Sequence, residues 1–310
     1  MHSKINKLAL AIGVTFAFAA SSSHALLIST QVESSVSITL DGITSSDANG
    51  PANSTSSELY SHPSHYYVGY GKATGDDTGL SSVRAEGPWY AQVENHYALP
   101  FTYSIMSNVT HTAVITNNES YGQNIDFNFL INAGAINHGG SSVYDSINDY
   151  VHAGYIADIS LNSASIWQSA GQSQATNGYN YNLALSGTSL GGTIGDGTWP
   201  NGASETYSWG DYASSISLGF LTPGQSLTLQ YSLTAYVNEH FDSSGYSYTP
   251  SAKIGDPFGF NGSPLFSDDK FVTSATGTPP SSVPEPAGTL LLGAGLAGLA
   301  FRRKARKAKA

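Results

Sequence analysis

Apolar and polar residues alternate along much of the chain between residues 26 and 282. A period of two is typical of β-strands that bury one face and expose the other. The clearest apolar faces comprise Val36, Ile38 and Leu40; Ile125, Phe127, Phe129 and Ile131; Tyr155, Ala157, Ile159 and Leu161; and Leu227, Leu229, Tyr231, Leu233, Ala235 and Val237. No stretch of this region has the period of a helix, so the pattern predicts an all-β body.

A proline-glycine pair separates two of these stretches, in the segment SISLGFLTPGQSLTLQYSLTAYVN. Pro223 and Gly224 suit the two central positions of a type II turn, since proline fixes φ near −65° and glycine accepts a positive φ. Ile216, Leu218 and Phe220 form the apolar face before the turn. The sequence therefore predicts a β-hairpin here.

Strands with one apolar face need a second layer to cover that face, which predicts an antiparallel sandwich of two sheets, including a jelly-roll variant. A single sheet closed on itself is the alternative, which the irregular strand spacing disfavours. Long loops are predicted at 44–57, 132–150 and 169–179. A Thr/Ser/Pro-rich linker at 273–282 would follow a sandwich body at 26–272.

The N-terminus has the organisation of a secretory signal peptide. Lys4 and Lys7 precede an apolar run of 13 residues, and small residues then lead to Ala25. That run is shorter than the roughly 20 residues that span a bilayer. We therefore expect residues 1–25 to be a short hydrophobic helix that is removed by cleavage after Ala25.

The C-terminus combines three features between residues 283 and 310. Two prolines flank Glu285 and stiffen the backbone; an uncharged stretch of 15 residues follows at 287–301 and predicts a second short hydrophobic helix; six cations then close the chain. Such a helix is about 22 Å long, and flanking basic side chains extend its reach into a membrane. The positive-inside rule places the basic end in the cytoplasm and the acidic body outside.

This order resembles the PEP-CTERM sorting signal of exported Gram-negative proteins. The resemblance covers about the last 28 residues and implies that an exosortase, an integral-membrane processing enzyme, recognises and removes the tail. It assigns the sorting motif to Val283, Pro284, Glu285 and Pro286, and the stop-transfer charges to Arg302, Arg303 and Lys304. The precursor would be anchored transiently in the inner membrane, and the body would then reach the cell surface or the extracellular medium.

Charge is distributed unevenly along the chain. Between residues 26 and 282 there are four cations, Lys72, Arg84, Lys253 and Lys270, against 21 acids, a formal charge of −17. Such a body repels nucleic acid, because nucleic-acid binding requires cationic side chains. The chain has no cysteine, which excludes disulfides, thiol nucleophiles and cysteine-ligated zinc.

One match to the G-x-S-x-G motif runs from Gly187 to Gly191 and includes Ser189. A nucleophile elbow needs a helix after the serine, whereas the segment that follows here is rich in glycine, which disfavours helix. We therefore expect no catalytic residue at this motif and no enzymatic activity in the body.

Other residues with chemical potential are spread along the chain. His62 and His65 lie close in sequence but lack a third metal ligand, and His96, His111, His138, His152 and His240 are scattered. We expect no metal site and no cofactor; Asp41, Asp47 and Asn49, with Asp76–Asp77 and Asp268–Asp269, leave Ca²⁺ as the cation to consider. The carboxylates available for glycan hydrolysis are Glu86, Glu94, Asp126, Asp145 and Asp149.

Aromatic residues are abundant, with 19 tyrosines and four tryptophans. An exposed platform among Trp89, Trp167, Trp199 and Trp209 would stack on sugar rings. The leading hypothesis is a structural or adhesive protein of the cell surface, or of an extracellular or biofilm matrix, with exopolysaccharide as a partner. A carbohydrate-binding module is the first alternative, and a two-carboxylate glycan hydrolase is the second.

Overall fold

Strands account for nearly all of the part of the chain that the structure describes. This computed structural model describes residues 26–40, 42–52, 54–61, 69–76, 81–87, 101–137, 148, 150–176, 180–199, 202–242 and 250–254. These residues contain strands and no helix, so the all-β prediction is confirmed. The first eight strands are β1 (Leu26–Leu40), β2 (Ile43–Ala52), β3 (Ser54–Ser61), β4 (Gly69–Asp76), β5 (Ser81–Glu86), β6 (Phe101–Asn117), β7 (Gln123–Ile131) and β8 (Gly134–Asn137). The other eight are β9 (Tyr150–Leu161), β10 (Ala164–Thr176), β11 (Asn180–Gly187), β12 (Thr193–Trp199), β13 (Gly202–Trp209), β14 (Tyr212–Leu221), β15 (Ser226–Phe241) and β16 (Ser251–Ile254).

Two antiparallel sheets of seven strands each contain most of these strands. The first, here called the front sheet, has the order β11-β10-β9-β15-β6-β1-β2. The second, the back sheet, has the order β12-β13-β8-β16-β5-β4-β3. At the flanks of each sheet, strands that are consecutive in the chain pair side by side. These are β9-β10-β11 and β1-β2 in the front sheet, and β3-β4-β5 and β12-β13 in the back sheet.

The two sheets face each other with their strands aligned. β1 and β6 lie over β4, β15 lies over β5 and β16, and β9 lies over β16 and β8. The apolar faces predicted from the sequence fill the space between the sheets; among the largest fully buried side chains are Tyr103, Ile105, Ile115, Phe127, Tyr155, Ile159, Leu229 and Leu233. Burial of this apolar surface is the main favourable contribution to folding.

Glycines on the inner face of β4 allow the back sheet to approach the front sheet closely. A Cβ atom at Gly71 would overlap the side chain of Val36 and press on Ser107. A Cβ atom at Gly75 would press on Val32 and Val109 in the same way. Glycine in a strand often marks such a close approach, and here it fixes the spacing between β4 and the pair β1–β6.

The remaining two strands, β7 and β14, form a two-stranded ribbon. It continues the ladder between β8 and β13 beyond a corner, because Ile131 pairs with Tyr212 and Gly134 pairs with Trp209. At the corner the Asp211 carboxylate accepts the Ala133 N–H at 2.9 Å. The ribbon covers one part of the core with Ile125, Phe127, Phe129 and Ile131, all of which are buried as predicted.

The predicted hairpin at Pro223–Gly224 is wrong in its pairing, although the turn itself forms. Gly224 has a φ of 76°, and the Gln225 N–H donates to the Thr222 carbonyl at 3.0 Å. However, β14 pairs with β7, whereas β15 pairs with β6 and β9. The turn therefore carries the chain from the ribbon to the front sheet.

A β-bulge changes the alternation within β14. The register with β7 shifts between Ser217 and Gly219, and Gly219 has a φ of 97°. Leu218 and Leu221 are consequently buried, while Phe220, which the alternation placed in the core, is 59% exposed. A bulge inserts one extra residue and reverses the facing of those that follow it.

The predicted loops are mostly strands. Residues 44–52 and 54–57 belong to β2 and β3, which run along opposite sheets at one lateral edge, and residues 169–176 belong to β10. Residues 134–137 form β8 within the loop predicted at 132–150. These segments are rich in Ser, Asn, Gly and Asp because they lie at sheet edges or expose one face, and such composition resembles that of a loop.

Several sequence predictions fall outside the described residues. These are the two terminal helices, the cleavage site at Ala25, the linker at 273–282, the sorting motif Val283, Pro284, Glu285 and Pro286, and the charges Arg302, Arg303 and Lys304.

Candidate functional site

The outward-facing surface of the front sheet, here called the front face, is composed mostly of neutral polar side chains, with a few exposed apolar ones such as Leu27, Met106 and Val114. On β6 the outward positions are Thr102, Ser104, Met106, Asn108, Thr110, Thr112, Val114 and Thr116, and on β15 they are Ser226, Thr228, Gln230, Ser232, Thr234, Tyr236, Asn238 and His240. Among the described outward positions of β1, β6, β9, β10 and β15, the only carboxylates are Glu33 and Asp158, and none is Lys or Arg. This surface is nearly uncharged on a body with a formal charge of −17.

Hydrogen bonds between neighbouring strands hold these side chains in position. Ser104 Oγ donates to Asn238 Oδ1 at 2.6 Å, and Asn108 Nδ2 donates to Thr234 Oγ1 at 2.9 Å. Similar links join Thr39 to Thr44 and Thr116 to Ser226, each at 2.8 Å. Cross-strand pairs of this kind stabilise a sheet modestly, and they also leave hydroxyl and amide groups in fixed rows.

Three rings lie together near one end of the front face. Tyr150 stacks on His152 with the ring centroids 4.8 Å apart, and on His240 with the centroids 5.7 Å apart. His240 is held by Thr102 Oγ1 at its Nδ1 and by Asp242 Oδ1 at its Nε2. In the described structure, Nε2 of His152 is shielded from solvent and has no hydrogen-bond partner, and burial lowers the pKa of this imidazole.

A fourth ring, that of Tyr236, lies one cross-strand row further along β9 and β15, where Tyr236 is paired two residues beyond His152. It sits over Gly154, the residue paired with it on β9, where a Cβ atom would overlap the phenol. Its hydroxyl donates to Gln172 Oε1 on β10 at 3.0 Å. The ring is therefore fixed at both ends. We call Tyr150, His152, Tyr236 and His240 the aromatic centre.

The outer face of the back sheet has a different character. Lys72, Arg84 and Lys253 form one cross-strand row on β4, β5 and β16, so three of the four body cations lie side by side. Glu86 contacts both Arg84 and Lys253, the latter at 3.2 Å. Arg84 also lies over the ring of Tyr70, at 5.3 Å from its centroid. Charged side chains that form ion pairs therefore distinguish this face from the front face.

Two polar groups are buried between the sheets at the end of the core. Glu239 and Tyr103 are paired residues on β15 and β6, and both side chains point inward. In the described structure neither Glu239 Oε1 nor the Tyr103 hydroxyl has a hydrogen-bond partner. Burial raises the pKa of the Glu239 carboxyl well above its usual range, which favours the protonated form of this group.

The histidines divide into three groups. His111 is a core residue that hydrogen-bonds Ser81, and burial lowers its pKa to about 4. His152 and His240, which are far apart in sequence, meet in the aromatic centre. His62, His65, His96 and His138 lie outside the described residues.

The G-x-S-x-G match lies in the connection from β11 to β12. Ser189 Oγ accepts the N–H of Gly191 at 3.1 Å, and Leu190 is buried in the core. The residues that follow form a strand and not the helix of a nucleophile elbow. Within the described residues the motif therefore serves as a structural connection.

The two candidate carboxylates that the structure describes are not brought together. Glu86 lies in the back sheet and Asp126 in the ribbon, whereas Glu94, Asp145 and Asp149 are outside the described residues. Asp47 accepts the Glu58 N–H at 3.1 Å, and Asn49 donates to the Ser56 carbonyl at 2.9 Å. Asp76 ends β4, while Asp41, Asp77, Asp268 and Asp269 lie outside the described part. No group of three His, Asp or Glu side chains that could hold a metal occurs among the described residues.

The tryptophans do not supply the expected platform where they can be assessed. Trp209 is buried against Tyr155 and Tyr207, and Trp167 packs on Phe129 and Tyr212 at the ribbon. Trp89 and the side chain of Trp199 are outside the described part. Sequence reasoning missed the aromatic centre because its four residues belong to two strands that are distant in sequence. One sequence signal could have indicated this surface: the polar positions of the alternating stretches in β6 and β15 are neutral and not charged.

The comparisons with known proteins concern the C-terminal end of the chain. A family model of the PEP-CTERM protein-sorting motif matches residues 282–304. No curated protein and no solved structure matches the chain. The described residues contain no helix with the length and hydropathy needed to cross a membrane. The matched span includes Val283, Pro284, Glu285 and Pro286 and the first three cations of the basic tail. The chain therefore contains a PEP-CTERM protein-sorting motif close to its C-terminal end.

Proposed function

We propose that this protein is an exported, non-enzymatic adhesive component of the cell surface or extracellular matrix, and that its front face binds polysaccharide. The sorting motif supports export, a membrane-anchored precursor and processing by an exosortase. The observation that carries the binding role is the front face itself, which joins fixed rows of hydroxyl and amide groups to an aromatic centre.

The chemistry of this surface suits sugars. Hydroxyl and amide groups both donate and accept hydrogen bonds, as do the hydroxyl groups of a glycan. The ring of Tyr236 crosses the neighbouring strand at Gly154, and its hydroxyl group is anchored by Gln172, so the half-buried ring lies at a fixed position on the sheet surface. An aromatic face of this kind packs on the apolar side of a hexose ring, and its rigidity reduces the entropy lost on binding.

Charge indicates the class of polysaccharide. The front face offers no Lys or Arg in the described residues, and the body is strongly acidic. A polyuronate would be repelled by this field and would find no cation to pair with. We therefore propose a neutral polymer as the ligand.

Affinity electrophoresis through gels that contain hydroxyethyl cellulose, a neutral glucan, tests the binding role. We expect the polymer to retard the processed protein, and alginate at the same concentration to leave its mobility unchanged. Replacement of Tyr236 by alanine should weaken the apparent affinity for the polymer about fivefold, since loss of a stacked ring costs on the order of 1 kcal/mol. Tyr70→Ala, which removes a tyrosine from the back sheet, is the matched control and should bind as the unaltered protein does. Equal retardation of the two variants, or stronger retardation by alginate, would contradict the proposal.

Intact mass spectrometry tests the processing step separately. The protein recovered outside the cell should lack residues 302–310, and the double substitution Pro284→Ala with Pro286→Ala should leave the precursor in the membrane fraction. Finding the basic tail on the released protein would contradict processing and would leave the glycan result unaffected.

A further inference from the structure

The two lateral edges of the sandwich are closed in different ways. At one edge β2 and β3 follow each other along opposite sheets, and polar side chains link the layers. Ser34 Oγ lies 2.7 Å from Thr55 Oγ1 and 2.9 Å from Ser57 Oγ, and Asn49 Nδ2 donates to Ser57 Oγ at 3.1 Å. Pro51 and Asp47 also lie on β2, and both residue types discourage pairing with another chain. At this edge the two sheets are joined by side-chain hydrogen bonds, and strand addition is disfavoured.

At the opposite edge β11 and β12 leave apolar core positions uncovered. Leu185 pairs with Gly171 and Ile194 pairs with Tyr207, so both point between the sheets. Leu185 is nevertheless 46% exposed and Ile194 is 54% exposed. The apolar interior is therefore open to solvent along this edge.

The edge strand β11 also lacks the features that normally block strand addition. It runs for eight residues, NYNLALSG, with no charge and no proline. Within the described structure it pairs only with β10, so its other side presents unpaired backbone groups. The other three edge strands of the two seven-stranded sheets each carry an acid: Asp47 on β2, Glu58 on β3 and Asp196 on β12.

The sequence of β11 is complementary to itself in an antiparallel register. If Ala184 lies opposite Ala184 of a second copy, Leu183 lies opposite Leu185 and Asn182 lies opposite Ser186. Each apolar residue then meets an apolar residue, and each polar residue meets a polar one. Two-fold symmetry, the commonest symmetry of homo-oligomers, requires this kind of self-complementary surface.

We propose that β11 is the interface of a homodimer, in which two copies of this chain pair antiparallel about Ala184 and bury Leu183, Leu185 and Ile194. Electrostatics favour this site, because two bodies of the same negative charge approach with least repulsion where the strand is neutral. The two front sheets then form one continuous sheet. This inference is independent of the proposed glycan binding.

Light scattering on the processed protein tests the assembly. We expect twice the monomer mass for the unaltered protein and the monomer mass for Leu185→Lys, which brings cations together across the symmetry axis. Ile43→Lys is the matched control, since it places the same cation at an exposed apolar position on β2, the opposite edge of the same sheet. It should remain dimeric. A monomeric unaltered protein, or a dimer that survives Leu185→Lys, would overturn the proposal.

A cross-linking experiment tests the register without disturbing the interface. The chain has no cysteine, so Ala184→Cys introduces a single thiol at the proposed axis. A short bifunctional maleimide should convert most of this variant to a covalent dimer. Ala48→Cys, an exposed alanine on β2, should stay monomeric on a denaturing gel. Equal cross-linking of the two variants would overturn the register and the site.

Discussion

The two outer faces of this sandwich come from the same architecture but use different chemistry. The front face carries rows of Ser, Thr, Asn and Gln around four rings and has almost no charge. The back face carries a row of Lys72, Arg84 and Lys253, in which Glu86 pairs with Arg84 and Lys253 and Glu58 pairs with Lys72. The side chains of Arg84 and Glu86 are 12% and 10% exposed, so the ion pairs are largely withdrawn from water. The comparison indicates a division of tasks, in which the back face contributes to stability and the front face is available for contact.

The largest expected difference is between one carboxylate on each face. Glu86→Ala should lower the free energy of unfolding by about 3 kcal/mol, because it leaves Arg84 with reduced compensation in a desolvated site. Asp158 is a half-buried residue of the front face, and Asp158→Ala should lower the free energy of unfolding by less than about 1 kcal/mol. Urea unfolding followed by circular dichroism measures both. Similar losses for the two variants would remove the proposed division of tasks.

A buried carboxyl group in the core, Glu239, should make the stability of the folded protein depend on pH. Burial raises the pKa of Glu239, so the folded protein keeps this proton to a higher pH than the unfolded chain does. Stability from this group is present below the ordinary glutamate pKa and falls as the pH rises towards the folded pKa. Glu239→Gln should therefore raise the melting temperature at pH 8 and change it little at pH 4. An unchanged pH profile in this variant would show that Glu239 is not held protonated.

His111 should act on the acidic side of the same profile. Its folded pKa is lowered to about 4 by burial, whereas an unfolded histidine titrates near 6.5. The stability that depends on neutral His111 is complete above pH 6.5 and is lost as the pH falls towards 4. In the His111→Gln variant, the melting temperature should fall less steeply between pH 6.5 and pH 4 than in the unaltered protein. A limb as steep as that of the unaltered protein would assign the loss to other groups.

The smallest expected effect concerns a single link on the front face. Ser104→Ala removes the hydrogen bond to Asn238, which lies at 2.6 Å. Because Ser104 is only half-buried, we expect a loss of about 0.5 kcal/mol. Thermal unfolding measures it, and a loss above about 2 kcal/mol would show that the rows are structural and not merely available for contact.

The sequence predicted the core well and the edges poorly. Alternation identified the buried residues of β7, β9 and β15, because each has a polar and an apolar face. It failed at β2, whose residues Ile43 to Ala52 are almost all exposed or half-exposed and resemble a loop. It also failed at Phe220, because a glycine with positive φ reversed the facing through a bulge. Neither error could be corrected from the neighbouring residues in the sequence, because both features depend on pairing with a distant strand.

The candidate site could not have been assembled from sequence. His152 and His240 become neighbours only through the register of β9 with β15, and Tyr236 finds its place only because Gly154 lies opposite. Long-range strand pairing is determined by the whole core and not by the residues concerned. The Pro223–Gly224 turn gives the same lesson, since its local geometry was predicted correctly and its strand partners were not. The sorting signal, by contrast, is a continuous motif and could be recognised directly.

The position of β16 links folding to export. This short strand lies in the middle of the back sheet, where it joins the half formed by β3, β4 and β5 to the half formed by β8, β13 and β12. A chain that crosses the membrane from its N-terminus delivers residues 251–254 after every other strand that the structure describes. We therefore expect the two halves of the back sheet to be joined only when β16 has crossed, shortly before the sorting motif at 282–304 reaches the bilayer.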